Sequence, residues 1–187
     1  MDGLRKPNYI AELIQTFQNI NQSDWDSASS LLLGGFRNSV NVWIAGNGGN
    51  SANASHFATD WNKGLYTELG RALKSHTLWE NPSLVSAITN DQAYETVFSD
   101  QLRMWATSGD IAVLLTGGGT SRNIIAAAQT AKELGLTVIG LTGGHGLELS
   151  ELFDIHIHIS SGNIQIVEDV HAAFGHAVFK YIISNGI

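Results

Sequence analysis

Three short apolar runs in this chain each end in glycine and small polar residues. Val40–Ala45 runs into Gly46-Asn47-Gly48-Gly49-Asn50-Ser51. Ile111–Leu115 runs into Thr116-Gly117-Gly118-Gly119-Thr120-Ser121, and Thr137–Leu141 into Thr142-Gly143-Gly144. Runs this short and this apolar read as strands buried on both faces, and helix-patterned stretches lie between them. That alternation predicts an α/β fold with a central parallel sheet of about five strands covered by helices on both sides. Ser75–Trp79 and Phe153–Ile159 supply the remaining strands. The helix-patterned stretches are Tyr9–Phe17, a second capped by Ser23 or Asp24 and ending near Gly34-Gly35, Ser51 to about Asn62, Asp91–Trp105, Asn123–Leu134 and Gln165–Ile183. Pro82–Ile88 is ambiguous. The whole chain reads as one domain, with residues 1–38 as additional N-terminal helices.

A glycine turn between a strand and a helix leaves backbone N–H groups bare at the helix N-terminus, where an anion such as phosphate is stabilised. The first turn does not have the Gly-x-Gly-x-x-Gly spacing of a dinucleotide fold and lacks the Gly-Lys-Ser/Thr of a nucleotide loop, so no nucleotide cofactor is expected. One such turn is also what an ordinary strand-to-helix connection looks like. Two after different strands point to a shared anion site at the carboxyl ends of the strands. Gly48, Gly49, Ser51, Thr116, Gly117, Thr120 and Ser121 are the candidate phosphate contacts, with Asn47 and Asp91 placed on sugar hydroxyls and Lys63 as a further cation.

His56 and Asp60 lie four residues apart on the helix that opens at Ser51 and therefore share a face. Glu168 and His176 are two such steps apart on the last helix. Together they make a two-histidine, two-carboxylate set suited to zinc or another divalent cation. His156 and His158 alternate on a strand and are expected to face one way, toward solvent or a subunit contact. His76 and His145 carry no spacing signal.

Composition narrows the function. The net charge is -7, which argues against nucleic-acid binding through a general basic field. There are no cysteines, hence no disulfides and no thiolate metal ligands. The absence of a signal-like N-terminus and of any apolar run near about 18 residues leads us to expect a cytoplasmic protein that does not cross a membrane. A mean hydropathy of +0.01 is high for a monomer and hints at apolar surface buried between subunits.

The residues Gly46–Ala58, Thr89-Asn90-Asp91, Gly109-Asp110, Thr116–Asn123 and Glu168-Asp169-Val170-His171 with His176 resemble the sugar-isomerase (SIS) superfamily, and within it the phosphoheptose isomerases. The resemblance covers nearly the whole chain. It implies a three-layer, flavodoxin-like α/β/α fold and a homotetramer with active sites between subunits, assembled with the help of the N-terminal helices. It also implies conversion of sedoheptulose 7-phosphate to the aldose heptose 7-phosphate used in bacterial surface sugars. In that family a glutamate and a histidine transfer protons, positions that fall on Asp60 and His176. Zinc is often held by four residues, which fall on His56, Asp60, Glu168 and His176.

Three departures stand out. Asp60 replaces a glutamate and is one methylene shorter, and a base misplaced by ~1 Å can lose ~10²-fold in rate. Glu168 replaces a glutamine and adds a charge beside any metal. Gly118 lacks a hydroxyl usual in the second loop, which leaves the sugar open. The main rival is a non-catalytic relative that binds the bacterial replication initiator and has lost the acid and the last histidine. This chain keeps both in kind. Another SIS isomerase or a sugar-phosphate-binding module is the third reading.

Overall fold

The structure, a computed structural model, describes residues 8–186. Five parallel strands form its sheet: β1 (Val42–Gly46), β2 (Ser75–Thr77), β3 (Ile111–Thr116), β4 (Thr137–Thr142) and β5 (Ile155–His158), in the order β2-β1-β3-β4-β5. This is the flavodoxin-like order, as the alternation of runs and turns predicts. Side chains along each strand alternate between two cores. Val42, Ile44, Ile111, Val113, Leu115, Ile139 and Leu141 face one. Trp43, Ala45, Ala112, Leu114 and Val138 face the other.

Helices α1 (Tyr9–Gln18), α2 (Gln22–Asn38), α3 (Gly49–Thr59), α4 (Leu65–Leu69) and α8 (Ile164–Asn185) cover the first face; α5 (Pro82–Asp91), α6 (Val97–Trp105) and α7 (Arg122–Glu133) cover the second. The chain therefore leaves β1 toward one face and β3 toward the other. The two glycine loops part at this switch point, which is where an open α/β sheet forms its ligand crevice.

Several boundaries differ from expectation for local reasons. The cap of α2 is Asn21, whose side chain accepts the Ser23 N–H, and not Ser23 or Asp24. That helix continues through Gly34-Gly35 to Asn38 because Gly35 serves close packing: a Cβ there would lie 3.1 Å from Ile111. The stretch Asp91–Trp105 is not one helix. It breaks at Gln92-Ala93, where Ala93 is extended, and resumes through a 3₁₀ turn at Tyr94–Thr96. Pro82–Ile88 resolves as helix, with Pro82 in the first turn, where its missing N–H costs nothing, and Asn81 as cap. The strands at Ser75 and Phe153 are shorter than expected. His156 and His158 do face one way and are half-buried: both rings bond Thr142 Oγ1, at 2.8 and 3.0 Å, and burial lowers both pKa values. On α1, Ile10, Ile14 and Phe17 form an exposed apolar stripe.

Candidate active site along the α3–α8 seam

Helices α3 and α8 run side by side in the same direction, and the site residues sit along their seam. The first loop enters α3 through two glycine requirements. A Cβ on Gly46 would meet the Asn50 carbonyl oxygen at 2.6 Å, and Gly48 has φ +57. The Glu168 carboxylate of α8 lies directly over Gly49, where a Cβ would displace it. Burial, reinforced by the adjacent Asp169 charge, raises the Glu168 pKa. One step further, Asn50 Oδ1 is 2.7 Å from His171 Nδ1. His171 is fully buried, and among the described residues its Nε2 has no partner. Burial takes its pKa from the usual 6.5 to about 3, so it is a neutral ring.

The side chains of the two loops bond largely to each other. Asn47 and Asn123 exchange a reciprocal amide pair at 2.8 and 3.0 Å, and the Tyr94 hydroxyl donates to Asn47 Oδ1. Asn47 thus ties the first loop to the start of α7. Thr116 is buried. Its hydroxyl accepts the Gly119 N–H at 3.1 Å and pairs with Ser121 at 3.2 Å, so it shapes the loop from inside. Ser51 Oγ donates to the Gly48 carbonyl, and Thr120 is exposed. The third turn braces the second: Gly143 N–H donates to the Thr116 carbonyl and His145 N–H to the Gly118 carbonyl. Asp91 is exposed at the end of α5 and accepts a bond from the Asn90 side chain.

At the far end of the seam, α3 passes into a π-turn at Asp60–Gly64. Such turns re-aim side chains within a helix and occur often at functional sites. Here His56, Asp60 and His176 converge. The two Nε2 atoms are 2.8 Å apart, and Asp60 Oδ2 lies 3.4 Å from His56 and 3.8 Å from His176. Two imidazole nitrogens this close need a proton or a cation between them, because facing lone pairs repel. The three ligand atoms fall within 4.8 Å of one another, and two imidazoles with a carboxylate are a donor set that fits zinc. Glu168, the expected fourth ligand, lies outside this group, two turns back along α8 over Gly49.

A buried scaffold holds the group in register. Trp61, next to Asp60, is fully buried and donates its indole N–H to the Gly175 carbonyl, next to His176, at 3.0 Å. Phe57 stacks on Trp61 and occupies the space where Gly175 lacks a Cβ. Sequence reasoning did not single out Trp61, Phe57, Asn50 or Asn123. Only their places beside Asp60, His56 and the glycine loops hinted at a role. Lys63 is exposed on the π-turn, in a groove with Thr59 and Glu80.

The SIS domain family model matches residues 8–143. The phosphoheptose isomerase of Aliarcobacter butzleri is 33% identical over 173 residues, covering 92% of this chain and 89% of that protein. Among solved structures, the phosphoheptose isomerase of Neisseria gonorrhoeae superposes with a TM-score of 0.85 at 28% identity, covering 94% of this chain and 95% of that one. The Francisella tularensis phosphoheptose isomerase gives 0.87 at 25%, covering 95% and 93%. By this family match, the identity over most of both chains and the shared fold, this chain belongs to the SIS-domain family and, within it, to the phosphoheptose isomerases.

Proposed function

We propose that the protein interconverts sedoheptulose 7-phosphate and the aldose D-glycero-D-manno-heptose 7-phosphate by proton transfer between C1 and C2. The observation that carries this reading is the convergence of Asp60 and His176 from opposite parts of the chain onto one point. Asp60 takes a proton from C1 of the ketose while the carbonyl oxygen at C2 gains one, giving an enediol. The C1 hydroxyl then gives up its proton and C2 receives one, leaving the aldehyde. His176, one side chain away, moves protons at the two oxygens. A divalent cation held by His56, Asp60 and His176, with Glu168 as a further carboxylate on α8, would polarise those oxygens. The π-turn supports the shorter Asp60 in the role of the family's glutamate, since it re-aims this position.

The phosphate sits at the glycine loops, on backbone N–H groups with Gly48, Gly49, Ser51, Gly117, Thr120 and Ser121. From Ser51 to Asp60 the helix advances about 13 Å, a separation that favours a long, extended sugar phosphate over a triose. The side chains of His56 and His176 are half-exposed on the protomer. Together with the apolar stripe on α1, this supports a homotetramer whose active sites are completed between subunits. Among the described residues no helix is long and apolar enough to cross a membrane. A cytoplasmic location fits the phosphorylated substrate.

The test is an isomerisation assay over a panel of ketose phosphates, heptulose first, with and without zinc. Turnover of the heptulose phosphate above shorter sugars is expected; turnover of none rejects the reading. Bound metal in chelator-free protein should vanish in His56→Ala, and a metal-free but fully active wild type would leave the group as acid–base residues alone.

A further inference from the structure

On the opposite face of the sheet from the α3–α8 seam, between β2 and α6, lies a cavity of about 350 Å³. Its wall contains three nearly parallel rings. Trp43 stacks on His76 with centroids 4.8 Å apart and 28° between planes, and lies 6.3 Å and 21° from Trp105. Trp105, near the C-terminal end of α6, is 47% exposed. Pockets of this volume and apolar character, with a few placed polar groups, are typical small-molecule sites.

The polar groups define the ligand. Glu80 contributes a carboxylate, and among the described residues no lysine or arginine lines the space. Behind the wall, the Trp43 indole N–H donates to Asp110 Oδ2 at 2.9 Å, which makes the ring more electron-rich toward a cation. Burial pushes the Asp110 carboxyl up, but bonds from Trp43, Thr107 and Asn41 outweigh it and hold it below its ordinary value.

We infer that this cavity is a second ligand site, separate from the isomerase seam, that takes a small flat organic cation carrying N–H donors. The ring stacks on the Trp43–Trp105 wall, and the donors go to the Glu80 carboxylate. None of the proposed isomerase residues takes part.

Calorimetry on the whole protein, with benzamidine as probe and benzoate as its anionic counterpart, decides the matter. Benzamidine should saturate at one per protomer and benzoate should not bind. Trp105→Ala should abolish binding and Glu80→Gln should weaken it about fivefold, both with unchanged isomerase activity. Glu80→Gln keeps the oxygen that accepts the Thr77 N–H, so the fold is preserved. No saturable binding, equal binding of benzoate, or binding that survives Trp105→Ala would each overturn the inference, the first being also the result if a second copy of the chain covers the cavity.

Discussion

The two ends of the α3–α8 seam solve opposite problems. At the loop end, side chains turn inward on one another: Asn47 on Asn123, Thr116 on Gly119 and Ser121, Asn50 on His171. What remains for a ligand is mostly backbone. At the far end, side chains turn outward and half-exposed, and a fully buried layer beneath, Trp61 and Phe57 against Gly175, fixes their spacing. Holding an anion needs many weak donors in a fixed curve, which a laced loop provides. Moving a proton needs a few groups placed to within a fraction of an ångström, which packed helices provide.

This contrast can be broken at either end. The largest effect is expected from Gly175→Ala, whose methyl would enter the Phe57 ring. A stability loss of about 3 kcal/mol in urea unfolding, with activity nearly gone, is the expected outcome. Next is Trp61→Phe, which keeps most of the packing but drops the indole donor. It should cost about 1 kcal/mol and lower kcat about tenfold with little change in KM. At the loop end the split should reverse. Asn123→Ala unties Asn47 and should raise KM for the sugar phosphate several-fold with kcat largely kept. Equal effects on kcat and KM from both substitutions would erase the distinction between the two ends.

The Asn50–His171 contact sharpens the comparison through pH. The folded-state pKa of His171 lies below its unfolded value, so the stability tied to the neutral ring is complete above about 6.5 and is lost as pH falls toward about 3. Between about pH 7 and pH 5 this amounts to ~2 kcal/mol, and His171→Gln should remove that part of the slope in chemical denaturation. The smallest effect separates two hydroxyls of one loop. Thr116→Val should lower stability by about 1 kcal/mol, because the Gly119 N–H loses its acceptor, whereas Thr120→Val should change only KM.

Much of this was legible in the sequence because it depends on short-range patterns. Strand runs ended by glycine turns encode the parallel sheet, and the four-residue step from His56 to Asp60 encodes a shared face. Two kinds of feature were not legible. The π-turn that starts at Asp60 has no periodicity signature, so the helix expected to end near Asn62 changes winding after Thr59 instead. Partners far apart in sequence, such as Asn47 with Asn123 or Trp61 with Gly175, become visible only when the sheet brings their elements together. The hydroxyls of the second loop show the same limit: Thr116 and Thr120 are alike as residue types, and only burial separates them.

The central claim is that Asp60 is the group that carries the carbon-bound proton. Its most direct test is exchange of the C1/C2 hydrogen of the ketose phosphate with deuterated water, followed by NMR, in wild type and Asp60→Asn. The account predicts exchange slowed by about 10³-fold in the variant with sugar-phosphate binding retained. Exchange at the wild-type rate in Asp60→Asn would contradict it.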